Sequence, residues 1–211
     1  MIYLDSAIAI EAAQAMSWGW VKGITTNPTL LTKADTEPLI TIKTLVDICK
    51  GDFYYQIVSQ IEDEMIREAH KAREIIGEKL VLKIPATFTG FAVLPKLASE
   101  INCSVTAIYH PTQAIIAAEG GAKCAIAYVN RATNLQGDGN TLISSMKQVL
   151  QGSETSILAA SLKSPAEVAT AVAAGADHVT LSFNLLKDIT THTLSQQTVT
   201  DFSDCGRGLT A

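Results

Sequence analysis

The sequence lacks several features that mark particular classes of protein. No apolar run approaches the roughly 18 residues that a membrane-spanning helix needs, and MIYLDSA at the start has neither a basic region nor a long apolar segment. Lysines and arginines form no cluster, and the formal net charge of −5 leaves no electrostatic footprint for DNA or RNA. We therefore expect a cytoplasmic protein with no nucleic-acid or membrane partner.

Cysteine and histidine are also scarce and scattered. The four cysteines include no CxxC pair, which favours reduced thiols over disulfides in a cytosolic protein. The four histidines show no HxH or HExxH spacing, so a metal site has little support. We expect neither a metal nor a cofactor.

A regular alternation of strands and helices fills the chain. Its 211 residues, 47% hydrophobic and 18% charged, suit one domain with a sizeable core, and no linker or low-complexity tract divides it. Helical periodicity follows each β-rich run, most clearly at 61–79 and 165–176. The predicted strands are 2–6, 23–27, 53–59, 80–86, 103–109, 124–130, 156–162 and 178–183.

Eight strand–helix units of this size predict an α/β fold, a single-domain (β/α)8 TIM barrel over 1–211 with a C-terminal tail from about 195. A doubly wound open sheet is the alternative. In a barrel, active-site groups come from the C-terminal ends of the strands, and seven of the eight predicted strands end in polar residues. These residues are Asp5, Thr26, Asn27, Gln56, Lys83, Thr106, Tyr128, Arg131, Ser161 and Lys163.

Lys83 is the most informative of these residues, because the run LVLKIPA contains no other charge. Burial disfavours the ammonium form and lowers a lysine pKa, and a neutral amine attacks carbonyl groups. The alternative is a lysine whose stem is buried while its head reaches water. Each of the other polar residues also has a structural explanation by itself, as a cap, a turn residue or a buried hydroxyl. Their shared position favours a site.

The chemistry that these groups allow is Schiff-base catalysis. Lys83 attacks a ketone, and the iminium then acts as an electron sink for making or breaking a neighbouring C–C bond. Asp5, Gln56 and Thr106 are candidates for holding and activating a water, and Tyr128 for proton transfer at the aldehyde oxygen.

A phosphate site is predicted beside this centre. The guanidinium of Arg131 has paired N–H donors that suit a phosphate group, and Ser161 is expected close by in the same layer of loops. The GDG at 137–139 precedes a helix, where it is either an anion nest or only a turn.

Several segments resemble the small transaldolase family, and within it the fructose-6-phosphate aldolase branch, from about residue 1 to about residue 200. The matching segments are LDSA (4–7), GITTNPTLL (23–31), LVLKIPAT (80–87), AYVNR (127–131), GDG (137–139) and AASLKSP (159–165). The resemblance implies that Lys83 forms the Schiff base with Asp5 as its acid/base partner. It also implies contacts to the donor hydroxyls from Asn27 and Ser161, and phosphate binding by Arg131.

Thr26 and Lys163 complete the expected substrate-binding set, and the expected partners are small sugar phosphates. Transaldolases of the family carry Glu at the position of Gln56, and many carry Phe at that of Tyr128. The Gln and Tyr pair resembles the aldolase branch, so we expect cleavage of fructose 6-phosphate into dihydroxyacetone and glyceraldehyde 3-phosphate. The alternatives are transfer of the three-carbon unit between sugar phosphates, and binding of sugar phosphates without turnover.

The resemblance also implies a homo-oligomer, a pentamer or a decamer of two five-subunit rings. The sequence departs from the family in three places. His110 stands where relatives often have Ser, and Ser182 where several have Pro. The tail DFSDCGRGLTA is short, whereas relatives tend to end in a longer helix that packs on a neighbouring subunit.

Overall fold

Eight parallel strands close into a barrel in the computed structural model, which describes residues 1–207 and 209. Each strand pairs with the next along the chain, and β1 also pairs with β8. The closed sheet confirms the (β/α)8 barrel and rules out the doubly wound alternative. The strands are β1 (Ile2–Asp5), β2 (Val21–Thr25), β3 (Asp52–Gln56), β4 (Leu80–Pro85), β5 (Asn102–Ile108), β6 (Cys124–Tyr128), β7 (Ser156–Ala160) and β8 (His178–Leu181).

Helices surround the barrel, and most begin at a side-chain cap or a proline. Thr87 and Ser164, for example, accept hydrogen bonds from the first-turn N–H groups of α5 and α9. The helices are α1 (Ala9–Ser17), α2 (Pro28–Leu31), α3 (Pro38–Ile48), α4 (Glu62–Ile76), α5 (Phe88–Ala98), α6 (Pro111–Glu119), α7 (Val129–Gln136), α8 (Gly139–Val149), α9 (Pro165–Ala173), α10 (Phe183–Asp188) and α11 (Thr193–Cys205).

The strands end one to three residues earlier than the sequence pattern predicts, because polar residues at their ends belong to the turns. The run 23–27, for instance, is strand only to Thr25, since Asn27 already caps α2. The predicted helix at 61–79 ends at Ile76 because Gly77 has a φ of 71°, a left-handed conformation that favours glycine. A short 3-10 helix, Gly77–Lys79, follows.

Two cores result from the alternation of side chains along the strands. The larger core lies between the barrel and the helices and contains, from β4, Leu80, Leu82 and Ile84. The smaller one fills the inside of the barrel and contains the intervening Val81. Successive side chains along a strand therefore point alternately outward to the larger core and inward to the smaller one. This explains why the strand sequences are apolar at both sets of positions.

The C-terminal segment forms a helix where the sequence suggested only a tail. α11 has no buried residue, and Leu194, Val199 and Phe202 are 69%, 63% and 71% exposed. The last part of the expected tail, residues 208, 210 and 211, lies outside the described residues. Within residues 1–207 and 209, no helix has the length and apolar character needed to span a bilayer.

Candidate active site

The inward-pointing positions become polar toward the C-terminal ends of the strands. On β4, Lys83 has the same parity as the inward Val81, and on β6, Tyr128 has the same parity as Ile126. The side chains that share this parity at the polar end are Asp5, Thr25, Gln56, Lys83, Thr106, Tyr128 and Thr180. The floor of the site is therefore apolar and its upper layer is polar.

A cavity of about 420 Å³ opens above this layer. Eight of the ten predicted site residues line it, so the fold brings together groups spread over most of the sequence. They are Asp5, Asn27, Gln56, Lys83, Tyr128, Arg131, Ser161 and Lys163. Thr26 and Thr106 are fully buried behind them.

Lys83 lies at the base of this cavity with only 4% of its surface exposed. Its Nζ donates a hydrogen bond to the carbonyl oxygen of Thr26 at 2.8 Å. Burial lowers the pKa of Lys83 to about 8, and the charge of nearby Asp5 opposes that shift. The lysine is therefore partly neutral near pH 7, which an exposed lysine is not.

Asp5 is held in place by two threonines that the sequence reading did not select. Thr25 Oγ1 donates to Asp5 Oδ1 at 2.7 Å, and the hydroxyls of Thr25 and Thr180 are 2.6 Å apart. Because Thr25 gives its proton to the carboxylate, Thr180 must be the donor to Thr25. The chain of hydroxyls fixes the carboxylate within the range at which its charge acts on Lys83. The sequence signal that could have identified Thr25 and Thr180 is that both are hydroxyl residues at inward-pointing positions of apolar strands.

Gln56 and Tyr128 present unused polar atoms to the cavity. The Oε1 atom of Gln56 is buried and accepts no hydrogen bond from the described residues. Thr106 donates to the phenol oxygen of Tyr128 at 3.3 Å, which leaves the phenol proton available for another acceptor. Burial raises the pKa of Tyr128, so the phenol stays protonated at neutral pH.

Thr26 and Asn27, the two residues between β2 and α2, have different environments. Thr26 uses its hydroxyl to donate to the carbonyl oxygen of Tyr54 at 2.9 Å, and it does not line the cavity. Its contribution is the carbonyl that accepts from Lys83. Asn27 Oδ1 accepts from Leu30 N at 3.0 Å as the cap of α2, which leaves the two amide N–H donors of Asn27 unused by the cap.

Cations occupy two sides of the cavity mouth. The Arg131 guanidinium lies 4.9 Å from the centre of the Tyr128 ring, and Lys163 follows in the neighbouring loop. Neither takes part in any of the four ion pairs that the described residues form. The sequence reading missed Lys33, which lines the cavity just after α2. Because β2 and β6 are four strands apart in a closed barrel of eight, Lys33 lies across from Arg131.

Comparison with known proteins identifies the family. Residues 2–208 match the family described as transaldolase/fructose-6-phosphate aldolase. The chain belongs to this family. It is 35% identical over 196 residues to a probable transaldolase of Aquifex aeolicus, with 92% of this chain and 90% of that protein covered. A probable transaldolase of Coprothermobacter proteolyticus is 32% identical, with 95% and 93% covered.

Solved structures that resemble this member of the transaldolase family share its fold. An orotidine 5'-monophosphate decarboxylase from Metallosphaera sedula superposes with a TM-score of 0.60 at 15% identity, over 86% of this chain and 87% of that one. A mandelate oxidase variant superposes with a TM-score of 0.63 at 13% identity. That match covers 87% of this chain, which spans only 64% of the oxidase. At such identities the similarity concerns the barrel alone.

The GDG segment of this transaldolase-family chain forms a helix cap. Gly137 has a φ of 100°, and Asp138 Oδ1 accepts from the backbone N–H groups of Asn140 and Thr141 at 2.8 and 3.3 Å. The aspartate carboxylate thus occupies the helix N-terminus that an anion nest would use. Of the two interpretations of this segment, the structure supports the turn.

No group of three metal-ligating side chains is found within residues 1–207 and 209. The histidines take other roles there: His110 and His192 both cap helices through their rings. His110 Nδ1 accepts from Thr112 N at 3.3 Å. This contact gives the His110 ring the capping role that a serine hydroxyl could also fill.

Proposed function

We propose that this chain is a Schiff-base transaldolase that transfers a dihydroxyacetone unit between sugar phosphates. The observation that carries the proposal is Lys83, a buried lysine with a pKa of about 8 at the base of a polar cavity. The family match and relatives named probable transaldolase support transfer, which was the alternative in the sequence reading, better than simple cleavage.

The proposed reaction begins when neutral Lys83 adds to the C2 carbonyl of a ketose phosphate. Loss of water gives an iminium, and Asp5 is the group placed to move protons in that step. The C3–C4 bond then breaks: the C4 hydroxyl loses its proton, an aldehyde leaves, and the bonding electrons pass to the iminium as an enamine. Attack of this enamine on a second aldehyde, followed by hydrolysis, completes the transfer.

The remaining residues are proposed to bind the two ends of the sugar. Asn27 and Ser161 hold the hydroxyls of the three-carbon donor, and Thr26 acts through its backbone by accepting from Lys83. Arg131 and Lys163 bind the phosphate, because they are cations at the cavity mouth without a carboxylate partner among the described residues.

Aldolytic cleavage of fructose 6-phosphate is the second candidate, and Gln56 with Tyr128 favours it. A neutral amide and a phenol that still has its proton to donate suit protonation of the enamine, which releases free dihydroxyacetone. In this version Thr106 positions the phenol of Tyr128. Cleavage and transfer share every step up to the enamine.

One experiment tests the proposal and separates its two versions. The protein is incubated with fructose 6-phosphate and borohydride, and the reduced adduct is mapped by peptide mass spectrometry. Free dihydroxyacetone is then assayed with and without erythrose 4-phosphate. An adduct at Lys83 with acceptor-dependent turnover supports transfer, and acceptor-independent dihydroxyacetone supports cleavage. The absence of any adduct contradicts both.

The pH dependence of activity follows from the lowered pKa of Lys83. Below a pKa of about 8 most of the amine is protonated and cannot attack, so kcat/KM should rise with pH and level off above about 8. The rate at which the borohydride-trapped adduct forms should follow the same curve, because adduct formation requires the neutral amine of Lys83. A rising limb that extends to the pKa of an ordinary lysine, 10.5, would contradict the assigned environment of Lys83.

Replacing Arg131 with alanine should weaken binding of phosphorylated substrates selectively. Loss of a charge-assisted hydrogen bond costs about 1.5–3 kcal/mol, so KM for fructose 6-phosphate should rise roughly tenfold or more. KM for unphosphorylated fructose should change little. The matched control is Arg67→Ala on α4, an exposed arginine away from the cavity. Equal losses for both sugars in Arg131→Ala would show that the arginine is structural.

We propose further that the chain forms a homo-oligomer. The exposed apolar side chains of α11, which no part of the described structure covers, suit burial against another copy.

A further inference from the structure

One carboxylate joins the loop that carries Lys163 to the first turn of α7, which carries Arg131. Glu167 lies in the first turn of α9, and its Oε2 accepts from the backbone N–H of Lys163 at 2.8 Å. Its Oε1 accepts from the side-chain amide of Asn130 at 2.8 Å. Asn130 immediately precedes Arg131, so one side chain contacts the backbone of one cationic residue and the side chain that precedes the other.

The contacts of Glu167 differ from those of an ordinary helix cap. Ser164 and Glu167 have the S-x-x-E spacing of a capping box, in which the glutamate accepts from the backbone N–H of the cap residue itself. Here Ser164 does its part and accepts from Glu167 N at 3.2 Å. The glutamate, however, reaches past the cap to Lys163 and across to Asn130. Its side chain therefore links the loop before α9 to the first turn of α7 and is not confined to its own helix.

The link reinforces a contact that the backbone already makes. Asn130 N donates to the carbonyl oxygen of Ser161 at 3.1 Å, and Ser161 adopts a left-handed φ of 61° to present that oxygen. Such a conformation is unfavourable for a serine and persists only where its surroundings hold it. The bridge through Glu167 restrains the loop of this strained residue and ties it to the start of α7.

We infer that Glu167 is a positioning residue for phosphate binding: it holds Arg131 and Lys163 at the separation that grips one phosphate group. This inference rests on the proposed function, because Arg131 and Lys163 are there assigned to the phosphate. Glu167 itself makes no contact with the substrate. Both of its oxygens already accept from N–H donors. It therefore fixes the loop and α7 without offering a free carboxylate oxygen that would compete with the phosphate for the cations.

The test compares phosphorylated and unphosphorylated substrates in Glu167→Ala. KM for fructose 6-phosphate should rise roughly fivefold to tenfold, the loss expected for one or two hydrogen bonds. The value of kcat, and KM for unphosphorylated fructose, should stay within about twofold, because the reacting centre is untouched. Glu167→Gln should recover part of the loss, since its amide oxygen still accepts from Lys163 N. Asn130→Ala, which removes only one arm of the link, should show a smaller rise in KM.

The control is Glu154→Gln, an exposed carboxylate before β7 at the other end of the barrel. It removes the same charge from the same strand–helix unit and should leave KM unchanged. In a double-mutant cycle, Glu167→Ala should add less in an Arg131→Ala background than in the wild type, because the glutamate acts partly through that arginine. Full additivity would overturn the inference, and so would unchanged KM in both Glu167→Ala and Asn130→Ala.

Binding of inorganic phosphate, measured by calorimetry, keeps this result separate from the fate of the proposed function. If the wild type forms no adduct at Lys83, the proposed function fails, and phosphate affinity then decides the inference by itself. Affinity for phosphate should fall at least about fivefold in Glu167→Ala. Unchanged affinity in a folded variant would contradict the positioning role even if Lys83 proves to be the nucleophile.

Discussion

Lys83→Ala is expected to abolish turnover and borohydride adduct together while the barrel remains folded. Covalent catalysis replaces one difficult step by two easier ones, and of the three lysines that line the cavity among the described residues, Lys83 is buried whereas Lys33 and Lys163 are exposed. We expect turnover to fall by at least roughly a thousandfold, since both iminium and enamine require the amine. Steady-state assays, adduct mapping and circular dichroism provide the three measurements.

The matched control for this variant is Lys43→Ala, which removes an exposed lysine from α3. It should keep full activity and the adduct. Asp5 keeps its hydrogen bond from Thr25 in the Lys83→Ala variant, so its carboxylate still has a partner and we expect the barrel to stay folded. An adduct that persists in Lys83→Ala and maps to Lys33 or Lys163, the other cavity lysines, would refute the assignment of the nucleophile.

The barrel and the isolated lysine inside it were predictable because each rests on local patterns. A charge inside LVLKIPA stands out in any parallel strand, and the alternation of strands and helices needs no long-range information. Eight of the ten candidates chosen by their position at a strand end line one cavity. The strand ends themselves were misplaced because polar residues such as Asn27 act as helix caps and turn the chain away from the sheet.

The supporting contacts were not predictable because they join distant parts of the chain. Asp5 is held by Thr25, which in turn contacts Thr180, 155 residues away in the sequence. Ser164 and Glu167 have the spacing of a local capping box. The hydrogen bond of Glu167 with Asn130, 37 residues away, depends instead on how α7 and α9 lie in the fold. A linear pattern identifies residue types suited to a site but not which of them hold the others in place.

The double change Gln56→Glu with Tyr128→Phe is expected to raise the ratio of transfer to cleavage. The carboxylate adds a proton acceptor and a negative charge beside the iminium, where the buried Oε1 of Gln56 accepts no hydrogen bond from the described part of the chain. The phenylalanine removes the hydroxyl whose proton is available to the cavity. Loss of an acid–base group costs roughly a hundredfold or more in the step that it serves. Protonation of the enamine should therefore slow while attack on an acceptor aldehyde continues.

The quantity that decides this prediction is the ratio of transfer to erythrose 4-phosphate over release of dihydroxyacetone, which we expect to rise at least roughly tenfold. The matched control is Tyr109→Phe, which removes the hydroxyl of the ring that lies edge-on to Tyr128 at 6.0 Å but does not line the cavity. It should leave the ratio unchanged. If Gln56 and Tyr128 only fill space within the barrel, the double variant loses both activities in proportion. A constant ratio would then separate a structural pair from one that directs the fate of the enamine.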